Sequence, residues 1–305
     1  MTKKDKVVLF VVNNRAGSKT YFDLEETISK HSIQNQYKAI LFLLNDVYNL
    51  ETEIQYQIIL HQPQIVVAAG GDGTVNLIAS LLKNTEIVLA ILPLGSANGM
   101  AKDLELPDGI LPNLDLLVKG EKVKIDLLLV NDKISIHLAD VGLNARIVKR
   151  FQIDNKRGIL VYAKHLFAEV FFLKKYKFKI NFDGNFKRVK AVSLTFANAT
   201  SYGTGASINP SGVLNDGYFE ICIVKPFPLL QLFKITWQMF RKTLVYSSYF
   251  EVIKCKNAVV KCNKSTTLQN DGEIMGKVKE IRLKILPKSL WVMMNNALDH
   301  PSFIN

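Results

Sequence analysis

Apolar residues over the first 120 positions come in short blocks separated by stretches of helical spacing. The blocks at residues 6–12, 37–44, 65–69 and 86–92 are near-continuous runs of aliphatic side chains, as expected of strands covered on both faces. Between them, residues 21–29, 50–61 and 75–82 repeat apolar positions at three and four, and 100–104 opens a short further helix. This alternation predicts an α/β domain on a mainly parallel sheet. Near Lys124 the period changes to two. "KIDLLLVNDKISIHLADVGLNARIV" reads as two strands joined by a tight Asn-Asp turn, and "KKYKFKINFDGNFKRVKAVSLTFAN" as a hairpin turning at Asp183-Gly184. "GYFEICIVKP", "AVVKCN" and "KEIRLKILP" continue the alternation. The second half is thus expected to be mostly antiparallel β, with two helical insertions at 158–175 and 226–250.

Composition narrows the class. The chain has 305 residues, 48% of them hydrophobic, which suits two ordinary domains with substantial cores. No window approaches a transmembrane helix, and the first residues lack the pattern of a secretory signal. Three cysteines, Cys222, Cys255 and Cys262, show no metal-binding spacing and point to a reducing, cytoplasmic setting. The net charge of +12 is concentrated: residues 147–190 hold 12 Lys/Arg and 3 Asp/Glu. That excess suits an anionic partner, such as a nucleotide, nucleic acid or acidic lipid surface, although a lysine-rich solvated surface gives the same count.

Chemistry concentrates where strands end. "QIVVAAGGDGTVNLIAS" carries a buried strand into Gly70, Gly71, Asp72, Gly73 and Thr74, then a helix. Three residues without Cβ let backbone N–H groups approach a ligand, and a helix N-terminus favours phosphate. A carboxylate beside that phosphate makes sense if it handles a metal or a water. A second small-residue turn, "PLGSANG", follows the fourth strand. Asp126 in "KIDLL", Asp216-Gly217 in "LNDGYF" and Asp271-Gly272-Glu273 in "QNDGE" complete the acidic set. An isolated Asp-Gly pair is usually only a turn.

Taken in order, "GGDGTVN", "LPLGSANGMAKDL", "INPSGVLNDGYFEICIV" and "NDGE…EIRLKILPKSLWVM" resemble the diacylglycerol kinase catalytic family almost end to end. The resemblance implies an α/β nucleotide-binding domain at 1–124 and a β-sandwich lipid-substrate domain at 125–287, with 288–305 returning to the first. It implies transfer of the ATP γ-phosphate to a lipid hydroxyl, with magnesium. Gly70, Gly71, Asp72, Gly73, Thr74 and Asn76 match the nucleotide turn, and Ser96 matches the hydroxyl of the second turn. Asp271 matches the proton acceptor, and Asp126 an acidic member of the metal-water network. Asp216, with the carbonyls of Val213 and Tyr218, matches a structural magnesium site. The chemistry is consistent on its own terms, since phosphoryl transfer needs held phosphates, a divalent ion and a carboxylate to receive the alcohol proton.

Two positions depart from the family pattern. Asn13-Asn14 stands where Asn-Pro is usual, and Gly99 stands where most such kinases carry an aspartate. Sphingosine kinases have a small residue at the latter place, which makes a sphingoid base an alternative to diacylglycerol. Gly99 also motivates a catalytically silent, nucleotide-regulated lipid-binding protein, against which Asp72 and Asp271 argue. NAD kinase shares the glycine turn, but its Asn-Glu motif is missing. No nucleic-acid recognition motif accompanies the charge. Residues 158–175 and 226–250 are amphipathic or aromatic-rich with basic flanks, and suit either core packing or transient contact with an anionic inner membrane face. A homodimer is left open. His137 and His165 read as structural, and the cysteines as core residues.

Overall fold

The computed structural model describes residues 6–13, 20–44, 49–143, 145–146, 174–202, 206–295 and 303. Most of the helix expected at 158–175, with His165, and most of the turn after residue 13 lie outside these residues. The chain divides into two compact units, one of Met1–Ile125 with Lys288–His300 and Asn305, the other of Asp126–Pro287 with Pro301–Ile304.

The first unit is an α/β layer. Strands β1 (Lys6–Val12), β2 (Tyr37–Leu43), β3 (Ile65–Gly70) and β4 (Val88–Pro93) pair in parallel in the order 2-1-3-4. The central strands β1 and β3 are buried almost throughout, which is why their sequences are uninterrupted apolar runs. Helices α1 (Thr20–Gln34), α2 (Leu50–His61) and α3 (Asp72–Leu82) lie between the strands, followed by the single-turn α4 (Gly99–Asp103). Phe10, Leu24, Ile28, Val67 and Leu92 share one core cluster with Leu114 and Leu117 of a helix the sequence reading passed over, α5 (Ile110–Lys119). Pro112 stands in its first turn, where a missing N–H costs no helical bond. The Asn113 side-chain amide donates to the Pro107 and Gly109 carbonyls and ties the entry of the chain into α5.

The second unit is an antiparallel β-sandwich. Its strands are β6 (Lys133–Ser135), β7 (Leu138–Gly142), β8 (Tyr176–Phe182), β9 (Asn185–Ala191), β10 (Ser193–Ala197), β11 (Phe219–Val224), β12 (Phe250–Cys255) and β13 (Asn257–Asn270). β5 (Glu121–Val130) enters from the first unit, and β14 (Glu273–Met294) runs back to it. One run of strands reads 12-11-10-7-13, while β13 also pairs β8, which pairs β9. β13 serves both because its register shifts between Lys261 and Thr266: residues before the irregularity face β8, and Leu268–Asn270 face β7. Phe178, Phe196, Phe219, Leu268 and Leu283 pack in the interior.

The hairpin expected at Asp183-Gly184 is present, and both residues have positive φ, 43° and 81°, as a two-residue turn of this hand requires. The second helical insertion is α6 (Gln231–Phe240), whose inner side chains Leu232 and Ile235 close a separate cluster with Cys222 and Phe250. All three cysteines are buried and unbridged. At its far end β14 pairs β4 in parallel, Trp291 opposite Val88, so the C-terminal strand completes the first unit's sheet.

Candidate active site

In the first unit the site is made of backbone. β3 ends at Gly70, and Gly71 caps α3 in an extended conformation, φ −95° and ψ −171°, without a side chain to cap it. The first bonds of the turn run from the Thr74 and Val75 N–H groups to the Gly71 carbonyl, at 3.0 and 3.1 Å. The N–H groups of Asp72 and Gly73 therefore have no carbonyl behind them in the helix. A Cβ on Gly70 would lie 2.5 Å from Thr74 Oγ1, and one on Gly95 would lie 2.5 Å from the Gly71 Cα. The turns after β3 and β4 thus meet backbone to backbone. Asn98, at φ 50°, closes the second turn: its Oδ1 accepts the Gly95 N–H at 3.0 Å and its Nδ2 donates to the Gly95 carbonyl at 2.8 Å.

The two turns also share a carboxylate. Asp72 Oδ1 accepts the Met100 N–H at 3.3 Å, linking α3 to α4 next to Gly99. Thr74 is buried, and its Oγ1 accepts Asn13 Nδ2 at 3.2 Å. Ser96 is exposed. The Asn76 Oδ1 is buried without a hydrogen-bond donor among the described residues. A cradle lined by Cβ-less residues and free helix N–H groups fits a phosphate, while the Asn76 oxygen is an acceptor suited to a hydroxyl or amino donor. Gly70, Gly71, Asp72, Gly73, Thr74, Asn76 and Ser96 all fall on these two neighbouring turns and the start of α3.

Two acidic residues of the second unit meet at one turn. Asp126 is fully buried on β5, and its Oδ2 accepts the Gly217 N–H at 2.6 Å. Asp216 Oδ1 accepts the Tyr218 N–H at 2.9 Å, while Oδ2 is held by the Lys254 ammonium. Lys254 also lies 3.8 Å from Glu220 and over the Tyr218 ring. Burial pushes Glu220 up to about 7, with the Asn209 and Lys254 contacts pulling against it. The Lys254 ammonium is a cation beside Asp216, the residue that the resemblance assigns, with the Val213 and Tyr218 carbonyls, to a structural magnesium site. Among the described residues no three His, Cys, Asp or Glu side chains converge on one point.

Asp271 occupies the turn between β13 and β14, with φ 45° followed by 87° at Gly272. Its carboxylate is buried and accepts four bonds. Oδ1 takes the Ser135 hydroxyl at 2.9 Å and the N–H groups of His137 and Leu138 at 3.1 and 2.9 Å; Oδ2 takes the Ile136 N–H at 2.9 Å. Burial pushes this carboxyl up from its ordinary value, opposed by His137 and by the donors from Leu138, Ile136 and Ser135. Oδ1 carries three donors and Oδ2 one, so Oδ2 retains acceptor capacity. Asp126 and Asp271 belong to one network: Asn198 donates its amide to the Asp126 carbonyl at 2.8 Å and its N–H to the His137 carbonyl at 3.3 Å. Ser135, Asn198, Asn98, Asn209 and Lys254 went unnoticed in the sequence. Only Asn98 had a local signal, being an Asn in a glycine-containing turn.

Comparison with known proteins bears on the family and the fold. The profile of the diacylglycerol kinase catalytic domain matches residues 7–130, and that of the YegS C-terminal NAD kinase beta sandwich-like domain matches residues 138–294. Together the two profiles span most of the chain, which belongs to the family that joins a diacylglycerol kinase catalytic domain to a YegS-type C-terminal sandwich. Among relatives, an uncharacterized protein, sll0036, of Synechocystis sp. is 29% identical over 238 residues, 74% of this chain and 53% of that one. The chain thus spans about half the length of that relative. A diacylglycerol kinase of Staphylococcus aureus (strain JH9) is 27% identical over 247 residues, 79% of this chain and 78% of that one. The crystal structure of a diacylglycerol kinase from Bacillus anthracis str. Sterne superposes with a TM-score of 0.75 at 18% identity, covering 97% and 99% of the two chains. A further chain from that organism reaches 0.77 at 20% identity, covering 98% and 100%. At these identities the structural likeness is one of fold.

Two outcomes follow for the second unit. Asp271→Asn sets an amide NH2 against backbone donors, so it should lower unfolding free energy by about 1–3 kcal/mol in urea titration, besides any effect on rate. Glu220 has a folded pKa of about 7 against an ordinary 4.5, so the native state holds its proton more tightly. Its contribution to stability is full below about pH 4.5 and falls as pH rises toward about 7. Glu220→Gln should flatten the dependence of melting temperature on pH across that window; an unchanged slope would contradict the assignment.

Proposed function

We propose that the protein transfers the γ-phosphate of ATP to a hydroxyl of a membrane lipid, with diacylglycerol as the first substrate and a sphingoid base as the alternative acceptor. The observation that carries the reading is the backbone contact of the two glycine turns, Gly71 against Gly95, with Asp72 bridging them through the Met100 N–H. Free N–H groups at the start of α3 hold the phosphates, and Asn76 and Ser96 supply polar contacts to the nucleotide. Magnesium, when bound with ATP, spreads the charge of the transferring group, and Asp72 is the residue to hold it or its waters. One carboxylate together with substrate phosphates and water is the ordinary way this ion is held.

Asp271 is the general base. In the transfer, the lipid hydroxyl oxygen forms a bond to the γ-phosphorus, the bond from that phosphorus to the leaving oxygen of ADP breaks, and the hydroxyl proton passes to Asp271 Oδ2. A carboxylate lifted by burial is better matched to accept a proton near neutral pH, and its four donors hold it still while it does so. Asp126 supports it through Asn198 and His137. At Asp216 the Lys254 ammonium supplies the positive charge, so the residues there do not fit a magnesium ion; Val213 and Tyr218 act as turn residues, and no step runs through a metal at that place.

The enzyme acts at the inner face of the membrane, where its lipid resides. The β8–β9 ladder sets Lys177 opposite Lys190 and Lys179 opposite Arg188, like-charged pairs that an anionic surface relieves.

The test is transfer of labelled γ-phosphate from ATP and magnesium to micelles of diacylglycerol, monoacylglycerol, sphingosine, ceramide or phosphatidylglycerol. One lipid should become labelled, with the label lost in Asp72→Ala and reduced by orders of magnitude in Asp271→Asn. A blank panel with ATP still bound would favour the silent lipid-binding reading and direct attention to Gly99. For Asp216, the wild-type melting temperature should be indifferent to magnesium or chelator, whereas Lys254→Met should melt lower and recover on adding magnesium.

A further inference from the structure

Helix α6 has two unlike sides. Leu232 and Ile235 face inward and pack with Cys222 and Phe250. On the other side Leu230, Trp237 and Phe240 are 85%, 63% and 52% exposed, at spacings of seven and three that place them on one stripe. The turn that follows adds Tyr246, 83% exposed. A cluster of large apolar side chains in water marks an interaction site.

The charges around the stripe identify the partner. From Lys225 to Phe250 the chain carries no Asp or Glu, while Lys234, Arg241 and Lys242 are exposed beside the stripe. The Arg241 guanidinium lies 5.0 Å from the Trp237 ring centroid, so its charge sits directly over the apolar stripe. A two-fold pairing of this face with a second copy would bring the same cations together without a carboxylate on the patch to neutralise them. An anionic bilayer offers both complements, phosphates for the cations and the acyl boundary for the rings. Ten residues of helix span only about 15 Å, enough to lie in the interface and too little to cross it.

We propose that the outward face of α6 is the seat of this protein on the bilayer, with Leu230, Trp237 and Phe240 at the headgroup–acyl boundary and Lys234, Arg241 and Lys242 on anionic headgroups. The inference deepens the lipid-kinase reading and rests on it for the choice of a bilayer over another apolar partner. Seating through a helix of the second unit brings the sandwich domain to the membrane.

The experiment is vesicle co-sedimentation without ATP, using phosphatidylcholine alone and phosphatidylcholine with about one-third phosphatidylglycerol. The wild-type chain should bind the anionic vesicles, more weakly at high salt. Leu230→Ser combined with Trp237→Ser should weaken binding by about tenfold or more, with the melting temperature unchanged because both side chains are exposed. In a Trp291→Phe background, the remaining Trp237 should shift its emission to the blue on vesicles and be quenched by brominated acyl chains. Equal binding by the double variant, or an unshifted Trp237, would overturn the proposal. So would failure of the wild type to bind anionic vesicles, including the case where the variant instead dissociates a dimer in sedimentation velocity. Because binding is read without phosphate transfer, a failed kinase assay and a failed vesicle assay are separate results.

Discussion

The carboxylate of Asp271 is the point from which the second unit's loops take their positions. A non-glycine residue at φ 45° is conformationally unfavourable, and burying its charge adds to that. Both costs are offset because the chain at Ser135–Leu138, passing from β6 to β7, turns three N–H groups and a hydroxyl toward one side chain. Those N–H groups in turn find in Asp271 the acceptor that a sheet ladder would otherwise supply. The exchange is completed by the Asp271 N–H, which donates to the Leu138 carbonyl at 3.0 Å. Through His137 and Asn198 the same arrangement reaches Asp126 and the Gly217 turn. The proton acceptor of the proposed reaction is thus also a structural fastener, and its role in chemistry cannot be separated from its role in folding.

The first unit leans less on a carboxylate, since Asp72 adds one bond, from the Met100 N–H, to turns set mainly by backbone contact. Its two turns approach closely: a Cβ on Gly95 would lie 2.5 Å from the Gly71 Cα, so nothing larger than hydrogen fits at Gly95. Asn98 then supplies both bonds needed to hold the second turn closed. The difference suits the proposed ligands. A phosphate is recognised by N–H groups that must stand uncovered, whereas a hydroxyl proton is received by a side chain that must be oriented.

The parts legible in the sequence were those whose signals are local. β1 and β3 announced themselves because strands buried on both faces need no polar alternation. The Asp183-Gly184 hairpin was legible because its turn demands two positive-φ residues. The same demand made Asp271-Gly272 look like an ordinary turn, and it is one; the family pattern was needed to give it chemistry. Helix α5 escaped notice because Pro112 and Asn113 interrupt its apolar spacing, although Pro112 falls in the turn that tolerates it. Ser135 and Asn198 had no signal at all, since their contributions depend on meeting residues far away in the chain. Lys254 looked like one of many surface lysines until the fold placed it on Asp216.

The course of β14 has a consequence for the order of events during synthesis. Val88, near the start of β4, is made some two hundred residues before its partner Trp291. The Asn84 N–H donates to the Ser289 carbonyl at 2.7 Å, and the Trp291 indole donates to Glu86 at 3.0 Å, so several contacts along that edge wait for the same late segment. During translation the first unit has its glycine turns early but keeps an open sheet edge while the whole sandwich domain is being made. Open strand edges invite pairing with other chains. The nascent chain is therefore most exposed to misassembly just before its last strand is delivered, and the edge of β4 is the place where a chaperone would have the most to protect.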